Sequence, residues 1–260
     1  MLTREDTGAV ARLTMDAPDR LNALSDEMLA ALSEAFAELE RDRSIRAVIL
    51  AGAGRAFCAG HDLKQMQAKR QAEDGGAAAF HDLFTRCAEV MQAIPRLPQP
   101  VIAEVHGVAV AAGCQLVASC DMAVAAEGTR FGVNGVNIGL FCSTPMVALS
   151  RNVPRKRALE MLTTGRLVET DEALDLGLIN RAVPPEDLSA ATEELAGTVA
   201  AKLGSAVRVG KRAFYEQAEM GLAEAYAHTG RVMVENMLHQ DTDEGIDAFL
   251  GKRAPGWQQD

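Results

Sequence analysis

Two short apolar runs, each ended by glycine and followed by a helix-forming stretch, constrain this chain more than any other feature. Ala47-Val48-Ile49-Leu50-Ala51 runs into Gly52 and Gly54, and Pro100-Val101-Ile102-Ala103-Glu104-Val105 runs into Gly107. Apolar runs of this length with little polar alternation belong to strands covered on both faces, so they predict a sheet packed between helices. Asp121 to Ala126 reads as a third such strand, and Val10 to Met15 as an earlier one that stops at the turn Ala17-Pro18-Asp19. Helices fall between them. In LSDEMLAALSEAFAELERD, Met28, Leu29, Leu32, Phe36 and Leu39 recur at three- and four-residue spacing, with Ser25 as N-cap and Glu27 and Glu34 facing water. A helical, Ala-rich stretch covers roughly Asp62 to Ile94, and a shorter helix covers Gly113 to Ser119.

This alternation places the chain in the α/β class. After Pro154 the pattern turns helical, through RKRALEMLTTG, TDEALDLG, a segment from about Pro185 to Leu203 and two more from Ala206 to Gln240. The division expected is an α/β core over residues 1–195 and a C-terminal helical region over 196–260. With 260 residues, 48% of them apolar, the chain can bury one large core. Its formal charge of −10 opposes a nucleic-acid or anionic-membrane partner, so any anionic ligand needs a local basic patch. No signal-peptide-like stretch opens the sequence and no apolar run approaches eighteen residues, which points to the cytoplasm and away from a membrane. The five cysteines, Cys58, Cys87, Cys114, Cys120 and Cys142, are odd in number and form no CxxC pair. They read as reduced thiols rather than disulfides or metal ligands.

The chemistry concentrates in two glycine-flanked segments. In GRAFCAGHDLKQM (54–66), Ala59-Gly60 turns the chain sharply and leaves the N–H of His61 free. In VHGVAVAAGCQL (105–116), Ala111, Ala112 and Gly113 lead directly into a helix whose first N–H groups have no intrahelical partner. Two unpaired N–H groups, one at a helix N-terminus, suit the oxygen of a developing thioester enolate or tetrahedral oxyanion. Either segment alone is also an ordinary tight turn.

Taken together, these segments resemble the crotonase (enoyl-CoA hydratase/isomerase) family. The likeness runs from APDRLNALSDEM through AFCAGHDL, PVIAEVHGVAVAAGCQLVASCD and TGRLVETDEALDLGLINRAV to EGIDAFLGKRAPGW. AAGCQLVASCD, GVNIGLFCSTP and VPRKRALEML look most like one subgroup, whose members are named from homology. The resemblance implies a crotonase-like spiral of ββα units with a C-terminal helical trimerisation region. It implies an oxyanion hole from the N–H groups of His61 and Ala112, the latter where relatives commonly have glycine. It also implies an acyl-CoA substrate, no cofactor beyond the coenzyme A of that substrate, and a homotrimer or homohexamer. For coenzyme A it points to Arg20, Leu21 and Ala23 in the early loop, to Ala59, Asp62, Leu63 and Lys64, and to Phe249, Lys252 and Arg253 near the C-terminus.

The family pattern breaks where its hydratases carry two carboxylates, because these positions align with Gln115 and Gly135. Neither residue exchanges a proton near neutral pH. His61, with an ordinary pKa near neutrality, is the nearest candidate base. Two alternatives stand beside hydration. One is decarboxylation through an enolate, which needs no base and resembles family members with AGHD and a stretch like Gly135-Val136-Asn137-Ile138-Gly139. Those enzymes, however, place tyrosine where this chain has Cys142. The other is an acyl-CoA-binding protein without catalysis. Cys142, Cys114 and Cys120 are expected to pack in the core, His106 to be structural, and Asn137 either to line the pocket or to hold a turn.

Overall fold

The computed structural model describes residues 1–257. In chain order the strands are β1 (Leu2–Thr7), β2 (Val10–Met15), β3 (Ala47–Gly52), β4 (Val101–Val105), β5 (Val108–Val110), β6 (Met122–Ala126), β7 (Arg130–Gly132), β8 (Leu167–Glu169) and β9 (Arg181–Val183). Six of them form one sheet in the order β1-β2-β3-β4-β6-β9, antiparallel only at the β1–β2 hairpin. The other three form a small sheet, β5-β7-β8. The expected strands are present. The sequence reading lacked β1, whose residues are nearly all exposed or half-buried, and the three-residue strands, which are too short to show a period.

The spiral arises because consecutive strands change sheet. β4 belongs to the large sheet, the chain turns at His106-Gly107, β5 joins the small sheet, and α4 (Ala112–Ser119) follows. β6 and β7 repeat the step, with β6 in the large sheet and β7 in the small one. In β3 the strand period of two assigns each face. Val48 and Leu50 point into the main core, while Ala47 and Ile49 meet Leu188, Ala196 and Ala200 of α8 (Leu188–Ala200). The main core also receives Met28, Leu29, Leu32, Phe36 and Leu39 of α1 (Asp26–Arg41), whose N-cap Ser25 accepts from the Met28 N–H as its sequence implies. α8 seals the opposite face, so the division expected at residue 195 falls inside a helix packed on the sheet.

Between β3 and β4 lie α2 (Leu63–Lys69) and α3 (Ala77–Arg96). After β7 come α5 (Pro145–Asn152), α6 (Arg155–Thr164) and α7 (Thr170–Asp175). The chain ends in α9 (Gly204–Ala218), α10 (Leu222–Met237) and α11 (Gln240–Leu250), one helix more than the sequence reading placed there. α9 is held by a buried ion pair. Lys211 Nζ donates to Asp121 Oδ2 at 2.7 Å and to the carbonyls of Ile94 and Gln99, and Tyr215 donates to Asp121 Oδ1. Beyond it the packing thins: Ala225 is the one buried residue of α10, while Phe214, Leu222, Tyr226, Met233 and Leu238 are exposed. Among the described residues no helix is long and apolar enough to cross a membrane.

Candidate active site

The segment after β3 is fixed from two sides by main-chain bonds. On one side Phe57 N–H donates to His106 O (3.0 Å), Cys58 N–H to Val108 O (3.2 Å), and Val110 N–H to Cys58 O (3.1 Å), extending the small sheet by one bridge. On the other, Ala59 N–H donates to Leu21 O (3.0 Å) and Leu24 N–H to Gly60 O (2.8 Å). The early loop is braced by Asn22, which is fully buried. Its Oδ1 accepts from Ala17 N–H, and its Nδ2 donates to the carbonyls of Ala53 and Ala56. Leu21 and Asn22 both hold φ of 52°, a conformation asparagine tolerates and leucine adopts at a cost of about 1 kcal/mol.

The second segment is seated on the first. Ala111 has φ 50° and ψ −119°, a strained turn for a residue with a side chain, held by its N–H bond to Gly132 O at 2.8 Å. α4 then begins at Ala112 without a side-chain cap, so its positive end is open. Two glycines let the segments touch. At Gly60 (φ 89°) a side chain would stand 3.0 Å from Ala111 Cβ and 3.2 Å from Ala112 N. At Gly113 it would overlap the Cys58 carbonyl oxygen. The peptides that carry the His61 and Ala112 N–H groups are therefore brought side by side. Neither N–H has an acceptor among the described residues. Such a pair can receive an oxygen on which negative charge is developing.

The side chains nearby are poor in acid. Nδ1 of His61 lies 3.3 Å from Leu24 O; a carbonyl only accepts, so the proton sits on Nδ1 and Nε2 presents a lone pair. Nε2 is buried without a partner, and the ring meets the edge of Phe84 at 5.7 Å. Burial pushes the imidazole below its ordinary pKa, which favours the neutral form. Gln115, one turn into α4 and 4% exposed, has an Oε1 with no donor. Gly135 is buried, and a side chain there would overlap the Leu140 carbonyl and come within 2.8 Å of Cys142 Sγ. Cys142, Cys114 and Cys120 are buried as expected, and burial raises all three thiols, Cys114 to about 12. His106 is structural: its Nε2 bonds to Gly54 O at 2.8 Å. Asn137 holds a turn, donating to Gly165 O at the end of α6.

The structure brings Arg20, Leu21, Ala23, Ala59, His61 and Asp62 together. Asp62 caps α2 through Lys64 N–H and Gln65 N–H and pairs with Arg20 at 3.5 Å, while Leu63 and Lys64 stand exposed beside it. Phe249 (83% exposed) and Lys252 lie at the far end of the chain, with no hydrogen bond or ion pair to these loops, and Arg253 is engaged by Glu244. Residue-by-residue reading missed Asn22 and Gln65 as supports. Asn22 spans to Ala53 and Ala56, and Gln65 accepts from Asp26 N–H and donates to Glu27. Their only sequence signal is the motif that contains each.

Comparison with known proteins bears on the same residues. The family model for enoyl-CoA hydratase/isomerase matches residues 5–260. Enoyl-CoA hydratase domain-containing protein 3, mitochondrial, of Xenopus laevis is 44% identical over 248 residues, covering 95% of this chain and 83% of that protein. The human protein of the same name is 42% identical over 251 residues, covering 96% and 81%. A crystal structure of an enoyl-CoA hydratase from Mycobacterium smegmatis superposes with a TM-score of 0.94 at 52% identity, covering 98% of each chain. That of human enoyl-CoA hydratase domain-containing protein 3 gives 0.94 at 41%, covering 98% of this chain and 99% of that one.

Proposed function

Since this chain belongs to the enoyl-CoA hydratase/isomerase family, within the subgroup of those vertebrate relatives, we propose that it is an enzyme of acyl-CoA thioesters whose backbone polarises the thioester carbonyl. One observation carries the reading: the N–H groups of His61 and Ala112 both lack an acceptor among the described residues, and Gly60 and Gly113 let their segments press together. The thioester oxygen sits between the two N–H groups, with the positive end of α4 behind Ala112. Coenzyme A lies along Arg20, Leu21, Ala23, Ala59, Asp62, Leu63 and Lys64. Phe249, exposed near the end of α11, and Lys252, exposed two residues beyond it, reach the nucleotide of a neighbouring copy.

Proton transfer does not use the family's two carboxylates, since Gln115 and Gly135 replace them. The remaining base is Nε2 of His61, neutral and bare of partners. Hydration of an enoyl-CoA is therefore the nominal reaction. The Gln115 Oε1 and His61 Nε2 lone pairs favour an acyl group that brings a hydrogen-bond donor, such as a water or hydroxyl at the β carbon. They disfavour the carboxylate that a decarboxylase must hold. A binder without turnover is the second reading, motivated by the loss of both acids.

Turnover of crotonyl-CoA and longer enoyl-CoAs by the pure protein tests this, beside Ala112→Pro. Proline suits the first helical position but has no N–H to give. The expected outcome is hydration that Ala112→Pro lowers by about 10²–10³-fold, the usual effect of losing one such donor. Calorimetric binding of acyl-CoA with no turnover would establish the binder instead, and no binding at all would overturn both readings. The exposed row Phe214, Leu222, Tyr226, Met233 and Leu238 supports a homotrimer, paired or not into a hexamer, and a monomer by light scattering would contradict it. The compartment proposed from the sequence is the cytoplasm; the vertebrate relatives are named as mitochondrial.

A further inference from the structure

The turn that follows α11 carries a strain that a one-residue shift in the sequence would remove. The helix ends at Leu250, and the Gly251 N–H closes on Asp247 O at 2.8 Å. Lys252 then holds φ of 53°, and the N–H groups of Lys252 and Arg253 bond back to Phe249 O (3.2 Å) and Ala248 O (3.0 Å). In this reversal at a helix end the left-handed position usually falls to glycine, because a side chain is crowded there. Here the glycine stands one position early and a lysine takes the left-handed place. Such strain persists only where the surroundings impose it, and it points to a use for the side chain.

Glu244 supplies the constraint. Its carboxylate accepts from both arms of the Arg253 guanidinium, Nη2 at 2.8 Å, and its Oε1 also accepts from the Gly256 N–H at 2.7 Å. Arg253 first and the Gly256 N–H second pull this carboxyl down to about 2, so it stays charged at any working pH. An exposed ion pair alone contributes little, but a forked guanidinium bond joined to a main-chain bond on one carboxylate also fixes direction. Trp257 completes the clasp: its indole lies along Gly245, where a side chain would stand 3.2 Å from Nε1. Residues 253–257 thus double back over α11.

The clasp presents the turn itself. Phe249 is 83% exposed, and Lys252 is exposed with no carboxylate within 4.0 Å among the described residues. Neither is held in place by burial, so the direction of each depends on the backbone of the turn.

We propose that Glu244 is a positioning residue for coenzyme A: by clasping the end of the chain it holds the left-handed turn at Lys252 and aims Phe249 and Lys252 at the nucleotide. On the reading of those two residues as nucleotide contacts, on which this role rests, part of the affinity is set before binding, by a carboxylate that touches no substrate.

The test is calorimetry of the full chain with butyryl-CoA and with butyryl-pantetheine, the same thioester without the nucleotide; neither saturated acyl group can be hydrated. Glu244→Ala should weaken butyryl-CoA by about tenfold and leave butyryl-pantetheine unchanged. Trp257 is the chain's only tryptophan, so its emission reports the clasp and should move to longer wavelength in this variant as the indole enters water. Lys252→Ala should weaken butyryl-CoA to a similar degree without that shift. Normal butyryl-CoA binding in Glu244→Ala beside weakened binding in Lys252→Ala would overturn the role of Glu244 and leave the nucleotide contacts standing. If neither variant changes the affinity, the reading of the C-terminal contacts falls and the role of Glu244 falls with it. Equal weakening of both thioesters would make the clasp a support of the fold alone, and would overturn the role as well.

Discussion

The two sides of the proposed acyl site are built in opposite ways. The donor side, His61 and Ala112, is main chain, and nearly every neighbouring peptide group is committed: Phe57, Cys58, Ala59, Leu24, Val110 and Ala111 each donate to a named carbonyl. The reacting side, Gln115, Gly135 and Cys142, is made of side chains with few bonds, an amide oxygen without a donor and a glycine where a side chain does not fit. Backbone geometry survives substitution because only the N–H is used, whereas a carboxylate is lost with a single residue. The difference separates holding a thioester from transforming it.

The largest break in this comparison should come from Gly113→Ala. The new methyl overlaps the Cys58 carbonyl inside the core, and the cost expected by chemical denaturation is about 3 kcal/mol. Gly135→Ala also overlaps a carbonyl, that of Leu140, but Leu140 is exposed and its loop can shift, so about 1 kcal/mol is expected. Equal losses would mean that the two sides are equally rigid. Asn22→Ala comes next, because it strands Ala17 N–H and the carbonyls of Ala53 and Ala56. A loss of about 2 kcal/mol, with a fall in acyl-CoA turnover, is expected although Asn22 touches no substrate.

Gln115→Glu sharpens the other side. It returns one carboxylate to a buried position that offers no donor to its oxygen, so about 1–2 kcal/mol of stability should be lost near pH 8. Burial raises the folded-state pKa of such a group above its unfolded value. The loss should therefore shrink as the pH is lowered and the folded acid takes up its proton. If proton transfer is what the site lacks, hydration of crotonyl-CoA should rise at least about tenfold. No gain would point to the missing partner at Gly135, where a side chain needs the loop to move.

How much of this was legible follows the same divide. The strands at Val48–Ala51, Val101–Val105 and Met122–Ala126 announce themselves, because burial on both faces forces an apolar run. The turns at Gly60 and Gly113 were visible as glycines next to small residues. That a methyl at Gly113 would strike Cys58, fifty-five positions earlier in the chain, was not, because sequence carries no register between the segments. Ala111 gave no hint of its positive φ: local preference argues against it, and the Gly132 bond that holds it is tertiary. Nothing in the pattern around Asn22 or Lys211 marks either, yet each closes a buried network across distant segments.

His61 joins the two sides, since its N–H belongs to one and its ring to the other, and it gives the smallest and most specific effect. Its imidazole ordinarily titrates at 6.5 and is pushed lower in the fold by burial, against the opposing bond to the Leu24 carbonyl. Below pH 6.5 the unfolded chain therefore binds a proton that the folded chain refuses. Stability is complete above that pH and falls as the pH drops from 6.5 toward the depressed folded value. His61→Phe keeps an aromatic ring against Phe84 and keeps the backbone N–H, but has nothing to titrate. The difference in stability between wild type and variant should move in favour of the variant as the pH falls from 7.5 to 5.5, measured by chemical denaturation at each pH. Acyl-CoA affinity should persist in His61→Phe while turnover falls, because the donor is main chain and the base is not. Loss of both together would show that the ring also holds the peptide in place, and the two sides would then be one structure.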